Sequence, residues 1–430
     1  MTAPAVTASQ NTEALLVAVL IQLIVMVGAA RLMNVLFQRF RQPGVVGEII
    51  AGLLLGPSLF GHFCPGLSAQ IFGAKPSVAI VILSQIGLIL LMFQIGMGFE
   101  FGRLRQARLL KTVPLVAAVS IAVPLAAGIA LGYASHGVFA AKIPVLVYAL
   151  FCGVAMAITA VPILGRILTG YGLAQHELGV LAISAAALND VVGWLLLGGV
   201  SALATASFMP AAEMLQLVGL AAFALACLFI LRPAAAWLLR AMPVREGDIP
   251  PSLMALVLIS VFALGICTFR LGIFGIFGGF VAGLLVHHDE AFVAAWRRQV
   301  GGFVMVFFLP IFFTFTGLHT DVLGLTGSTD WLWTLLFVAV SIASKILPVS
   351  LAAMAVRYSP WESLLTGVLM NTRALMELIV LNIGLETGFL PPKVFTMLVI
   401  MAVVTTVMTG PLLTFVMAKL RLPVPRRVEA

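Results

Sequence analysis

The chain has 430 residues, of which 62% are hydrophobic and only 9% are charged, and its formal net charge is +8. Water-soluble domains have roughly a quarter of their residues charged. The low charged fraction and the mean hydropathy of +1.16 therefore exclude that class. It indicates an all-α polytopic membrane protein. The basic residues are scattered between apolar segments, which argues against a nucleic-acid partner. The first ten residues lack a basic region, so we expect the first span itself to direct membrane insertion.

Runs of about 20 apolar residues between charged, proline or glycine breaks predict about 13 transmembrane helices. In chain order the predicted spans are 13–37, 43–61, 78–101, 112–134, 145–169, 177–204, 212–240, 251–269, 272–286, 300–318, 331–356, 361–385 and 392–418. Most lysines and arginines fall on one side of these spans, and only Lys75, Lys142, Arg270 and Lys393 fall on the other. This bias predicts an outer N-terminus and a cytoplasmic C-terminus, in a bacterial inner (plasma) membrane.

Three pairs of segments suggest an internal repeat. IIAGLLLG at 49–56 is similar to FVAGLLVH at 280–287, LLMFQIGMGFEF at 90–101 to PIFFTFTGLHTD at 310–321, and GVAMAITA at 153–160 to GVLMNTRA at 367–374. Six spans on either side of one linking span place the two halves in opposite orientations, as in secondary transporters. We therefore predict a first inverted repeat over 13–204, a linking helix over 212–240, a second repeat over 251–418 and a short cytoplasmic tail over 419–430.

Asn189 and Asp190 lie at the centre of the sixth predicted span. A carboxylate at this depth of a bilayer costs several kcal/mol, so it is expected to face the bundle interior or water and to serve function. The alternative is a structural aspartate that is neutralised by a lysine or by a helix end.

The fifth predicted span contains Thr159 shortly before Pro162. A proline removes one backbone donor and clashes with a carbonyl one turn back. The sequence therefore predicts a broken helix whose freed carbonyls at 157–160 coordinate a cation. The alternative is an ordinary proline kink in which Thr159 bonds back to its own helix.

The twelfth predicted span is interrupted by Asn371, Thr372 and Arg373, and Glu377 follows one turn later. Arg373 and Glu377 have the i,i+4 spacing of a structural ion pair, and a role in transport is the alternative. Lys345 lies deep in the eleventh span, where we expect it to meet a carboxylate or the C-terminus of a helix. His287, His288, Asp289 and Glu290 stand at a span end and indicate a solvated loop rather than a metal site.

Four segments together carry a family resemblance. They are RQPGVVGEIIAGLLLGPSLFG at 41–61, AITAVPILGRIL at 157–168, SAAALNDVVGW at 184–194 and MNTRALMELIVLNIG at 370–384. Through them the chain resembles the monovalent cation:proton antiporter superfamily, and within it the second branch, close to plant-type CHX cation/proton exchangers. The resemblance implies the sodium/proton antiporter-like fold, a homodimer and no cofactor beyond the transported ions.

Carried over by position, the resemblance makes Asp190 the carboxylate that binds the ion and the proton, with Asn189 as its helix-stabilising neighbour. It places Thr159 at the crossover of the broken fifth span, as a second ligand of the monovalent cation. Lys345 matches the basic residue of the eleventh span. The chain departs from relatives at four positions, where acids or a glycine are replaced: Asn189, Ala185, Ala160 and Ala374.

We expect Asp190 to bind either a proton or one Na⁺ or K⁺ and to be exposed alternately to the two sides of the membrane. Asp190 and Glu377 offset Lys345 and Arg373, which favours a 1:1 electroneutral exchange. The alternatives are a cation channel, the membrane subunit of a gated potassium efflux system, and an ionophore or organic-ion exporter on the same scaffold. No phosphate-binding loop, Ser/His/Asp set or Cys-x-x-Cys motif supports an enzyme.

Overall fold

The computed structural model describes residues 3–40, 42, 44–73, 78–98, 107–205, 218–219, 221–271, 275–373 and 375–423. Parts of the predicted second, third, seventh and ninth spans lie outside the described residues, as do Ala374 and most of the predicted tail. Within the described ranges the chain is helical, and its one extended pairing is the isolated bridge between Arg245 and Asp248.

The helices are numbered here in chain order. They are α1 (Ala3–Arg39), α2 (Gly44–Leu55), α3 (Phe60–Phe63), α4 (Pro65–Phe72), α5 (Val78–Met97), α6 (Ala107–Phe139), α7 (Val145–Ala157), α8 (Val161–Gly170), α9 (Glu177–Thr205), α10 (Ala221–Ala241), α11 (Pro251–Arg270), α12 (Gly275–Val286), α13 (Glu290–Gly301), α14 (Val304–Leu318), α15 (Ser328–Ala355), α16 (Pro360–Met370), α17 (Leu375–Glu386) and α18 (Pro392–Lys419).

Nine helices of the described chain are long and apolar enough to cross a membrane, or ten if α13 and α14, which meet at 43°, form one bent span. The count of thirteen stays a prediction, because it also includes the short α12 and the interrupted pairs α7–α8 and α16–α17. The fifth and twelfth predicted spans are indeed broken: the helix stops after Ala157 and resumes at Val161, and stops after Met370 and resumes by Leu375.

Glycines allow several helices of the bundle to approach each other closely. A Cβ on Gly52 of α2 would collide with the backbone of Phe313 in α14, and one on Gly317 would collide with the backbone of Gly52. Gly96 of α5 and Gly283 of α12 make the same kind of contact. Gly52 and Gly283 occupy equivalent positions in the first pair of similar segments, and Gly96 corresponds to Gly317 in the second. The division of the chain into two repeats stays a prediction.

The interrupted helices lie among the long helices α6, α9, α15 and α18. Most of this core is apolar, but a set of polar side chains is buried at its centre, and polar groups without water require protein partners. Members of this set are Ser120, Thr159, Asn189, Asp190, Lys345, Asn371, Thr372, Arg373, Glu377, Thr405 and Thr406.

Candidate functional site: the crossing of the two broken helices

The two helix breaks contact each other directly. The backbone N–H of Ala160, in the first break, donates to the carbonyl of Thr372, in the second, at 3.1 Å. The Thr159 hydroxyl donates to the carbonyl of Met370, the last residue of α16, at 3.2 Å. The alternative in which Thr159 bonds back to its own helix is therefore wrong. The breaks instead bring the C-termini of α7 and α16 and the N-termini of α8 and α17 together inside the bundle.

Thr406 of α18 contacts the second helix break through its side chain. Its hydroxyl lies 2.9 Å from the carbonyl of Arg373 and 2.8 Å from that of Ala402 on its own helix. Sequence reasoning missed this residue, because a threonine within an apolar helix carries no local sign of a partner 33 positions away.

Lys345 is completely buried, and its ammonium is held by two backbone carbonyls. The Nζ atom donates to the carbonyl of Ala157 at 2.6 Å and to that of Ser120, in the middle of α6, at 2.7 Å. Ala157 is the last residue of α7, where carbonyls lack intrahelical donors and the helix dipole favours a cation. The structure thus shows the expected helix C-terminus as a hydrogen-bond partner of Lys345, and it places Glu377 and Asp190 close enough for electrostatic interaction with the ammonium. It also shows that the Ala157 carbonyl, expected to coordinate a cation, is engaged by Lys345.

Asn189 connects α9 to α6 through Ser120. In the amide orientation that satisfies both atoms, Oδ1 accepts from the Ser120 hydroxyl at 2.7 Å and Nδ2 donates to the carbonyls of Ala117 and Ala185 at 3.2 Å. In the opposite amide orientation, Nδ2 instead donates to the Ser120 hydroxyl at 2.7 Å and to the Thr159 hydroxyl at 3.3 Å. Ser120, which sequence reasoning missed, therefore contacts Asn189 through its side chain and Lys345 through its carbonyl.

Among the described residues Asp190 forms neither a hydrogen bond nor a salt bridge, although Lys345 lies close enough to interact with it electrostatically. Its side chain is buried, at 2% exposure, yet neither carboxylate oxygen has a hydrogen-bond partner within the described part of the chain. A buried ionised carboxylate without a partner is strongly disfavoured. The position is therefore suited to an ion or a proton that neutralises the carboxylate.

Arg373 and Glu377 form the expected i,i+4 pair, with 3.8 Å between Nη1 and Oε2 and both side chains fully buried. Arg373 Nη1 also donates to the carbonyl of Ala155 in the last turn of α7 at 3.2 Å. The guanidinium of Arg373 and the ammonium of Lys345 thus both stabilise the end of α7. With Asp190 and Glu377 ionised, the site holds two positive and two negative groups.

The histidine-containing turn after α12 lies apart from this crossing. Asp289 caps α13 by accepting from the Phe292 N–H at 2.9 Å, and His288 lies 2.7 Å from the Arg232 guanidinium. Partial burial, His287 and Arg232 lower the pKa of His288. Among the described residues no group of three His, Cys, Asp or Glu side chains is arranged to hold a metal ion.

Two interrupted helices that cross inside an apolar bundle, with ionisable groups at the crossing, define the class of membrane-embedded ion transporters. The chain belongs to the sodium/hydrogen exchanger family, since the family model "Sodium/hydrogen exchanger, transmembrane" matches residues 23–419. The predicted family is therefore confirmed, and the chain is an integral membrane protein of a transporter family.

Individual relatives agree with this assignment. "Na(+)/H(+) antiporter NhaS4" of Synechocystis sp. is 37% identical over 409 residues, which is 94% of this chain and 97% of that protein. "Cation/H(+) antiporter 18" of Arabidopsis thaliana is 34% identical over 91% of this chain and 48% of its own length. "K(+)/H(+) antiporter 1" of Saccharomyces cerevisiae is 29% identical over 94% of this chain and 46% of its own length. This chain spans about half the length of the plant and yeast proteins.

The solved structures share the fold. The sodium proton antiporter MjNhaP1 from Methanocaldococcus jannaschii at pH 8 matches with a TM-score of 0.59 and 18% identity, over 94% of this chain and 98% of that one. The predicted sodium/proton antiporter-like fold is confirmed by this match.

Proposed function

We propose that this protein exchanges one monovalent cation, Na⁺ or K⁺, for one proton, and that Asp190 binds both in turn. The observation that carries the proposal is that, among the described residues, both buried carboxylate oxygens of Asp190 form neither a hydrogen bond nor a salt bridge. Each neighbouring charge has partners of its own, which leaves this carboxylate available. Family membership and the names of the relatives support cation/proton exchange.

Competition for a single carboxylate couples the two fluxes. When Asp190 holds a proton it has no charge to offer a cation, and when it holds a cation the proton has left. Alternating exposure of the site to the two sides then converts one gradient into the other. Lys345 and Arg373 offset Asp190 and Glu377, so replacing one proton with one monovalent cation leaves the charge of the site unchanged. The exchange is therefore proposed to be 1:1 and electroneutral.

The chain is further proposed to work as a homodimer in a bacterial inner membrane, with its N-terminus outside and its C-terminus in the cytoplasm. No cofactor besides the transported ions is part of the proposal. Thr159 and Asn189 are proposed to complete the ion site beside Asp190, because both lie at the crossing and contact each other. The physiological role that fits such an exchange is control of cytoplasmic pH and cation content.

The test is an exchange assay in sealed vesicles that contain the purified protein. An imposed pH gradient is expected to collapse when Na⁺ or K⁺ is added, without generating a membrane potential. Asp190→Asn keeps the side-chain shape and removes the charge, so we expect it to abolish exchange. The readouts are a pH-sensitive dye and a potential-sensitive dye, recorded in the same vesicles.

Asp330→Asn is the matched control. Asp330 is also buried, but its carboxylate is paired with Lys393 at 2.8 Å, about 22 Å along α15 from Lys345. This variant is expected to retain exchange. Full activity of Asp190→Asn would refute the carrier role of Asp190, and a potential generated during turnover would refute the 1:1 stoichiometry.

A further inference from the structure

The sequence explains why the carbonyl of Ser120 can accept a hydrogen bond from Lys345. In an α-helix each carbonyl accepts from the N–H four residues ahead, and four residues after Ser120 stands Pro124, inside the continuous helix α6. Proline has no N–H, so the Ser120 carbonyl lacks its usual intrahelical donor. Lys345 Nζ takes the place of that donor at 2.7 Å.

The second acceptor of Lys345 arises in a comparable way. Ala157 ends α7, and carbonyls in the last turn of a helix have no intrahelical donor. The ammonium is thus bound by two carbonyls from two different helices, each released by an interruption of regular helix hydrogen bonding. Both acceptors are neutral, whereas the carboxylate of Asp190 lacks any hydrogen-bond partner among the described residues.

We propose that Pro124 is a positioning residue for the exchange: by leaving the Ser120 carbonyl open, it fixes the Lys345 ammonium on the backbone of α6 and α7. The ammonium therefore forms no hydrogen bond or salt bridge with Asp190, although the two charges interact at longer range, and the carboxylate stays available to the transported cation. This inference rests on the proposed function, because it concerns access of the cation to the same carboxylate.

The location of Pro124 distinguishes this role from a general effect of proline on helix shape. Helix α6 contains two prolines, Pro114 and Pro124. Pro124 is buried, and the carbonyl that it releases points to a residue 225 positions away. Pro114 is exposed and lies ten residues before Pro124, so its replacement leaves the Ser120 acceptor as it is. The two prolines are thus matched in chemistry and differ in their relation to Lys345.

The experiment is Pro124→Ala, assayed in vesicles over a series of Na⁺ and K⁺ concentrations. The new backbone N–H competes with Lys345 for the Ser120 carbonyl. The released ammonium then competes with the cation for Asp190. We expect the apparent KM for the cation to rise about tenfold. A hydrogen bond to a charged group contributes enough free energy to change an equilibrium constant by about this factor. The maximal rate is expected to change less than twofold, and thermal stability to stay equal or rise, because helix continuity is restored.

Pro114→Ala is the control, and its KM is expected to equal that of the unmodified protein. Pro124→Val restores the same N–H while filling more of the space left by the ring, so it should raise KM even if the alanine variant packs poorly. A KM within twofold of the unmodified protein in both Pro124 variants would overturn the inference. So would an equal rise of KM in Pro114→Ala. Failure of the proposed function would instead appear in the unmodified protein, as absence of exchange.

Discussion

The crossing contains two buried carboxylates that differ in one respect. Neither carboxylate accepts a hydrogen bond among the residues described, but Glu377 forms a salt bridge with the guanidinium of Arg373 one helical turn away, at 3.8 Å, whereas Asp190 forms none and interacts with Lys345 only at longer range. A buried ion pair is costly to break, because removal of one member leaves an uncompensated charge. The difference supports the proposal that Glu377 serves the fold and that Asp190 binds the transported ion.

The comparison also separates stability from transport. If Asp190 has no native partner, its replacement by asparagine removes a charge that destabilises the folded protein, and stability should stay equal or rise. If Glu377 is part of a structural pair, changes to that pair should lower stability first. The predictions below test this contrast, from the largest expected effect to the smallest.

Arg373→Met is expected to have the largest effect on stability. It leaves Glu377 buried without its cation and removes the donor to the Ala155 carbonyl. Loss of one member of a buried pair costs about 3–5 kcal/mol. The measurement is the free energy of unfolding in mixed detergent micelles, with Asp190→Asn measured alongside. The double variant Arg373→Met/Glu377→Leu should recover most of the lost stability. If Arg373→Met and Asp190→Asn were equally stable, the proposed difference between the two carboxylates would be refuted.

Lys345→Ala is expected to have an intermediate effect. It leaves the carbonyls of Ser120 and Ala157 without their donor, and each buried acceptor that loses its partner costs about 1–3 kcal/mol. The melting temperature should fall, and the dependence of exchange on pH should change because a charge next to the site is lost. Lys419→Ala, at the exposed end of α18, is the control and should change stability by less than about 0.5 kcal/mol. Unchanged melting and an unchanged pH profile in Lys345→Ala would contradict this role.

The interruptions of the fifth and twelfth spans could be predicted because their causes are local. Pro162, three residues after Thr159, and the three polar residues at 371–373 interrupt an apolar run in the sequence itself. The i,i+4 pair of Arg373 and Glu377 was likewise predictable from helix geometry alone, and the structure shows it at 3.8 Å.

The partners of Lys345 could not be fully predicted. Its Ser120 acceptor is 225 positions away, and only the packing of α6 against α15 brings the two together. The spacing of Ser120 and Pro124 does mark an open carbonyl in the sequence, but not which donor reaches it. The contact of Thr159 with Met370 depends in the same way on how two distant breaks cross. The local sequence therefore predicts which carbonyls lack an intrahelical donor, and tertiary packing determines which side chains bind them.

Thr159→Val is expected to have the smallest effect on stability. Valine keeps the branched shape and removes the hydroxyl that donates to the Met370 carbonyl, a change of about 1 kcal/mol in the free energy of unfolding. Because Thr159 is also a proposed ligand, its KM for the cation should rise more than that of Thr406→Val, which loses a similar bond to the Arg373 carbonyl. Thr159→Ser retains the hydroxyl and should restore KM. Equal KM values in the serine and valine variants would contradict the role of the Thr159 hydroxyl as a ligand of the cation.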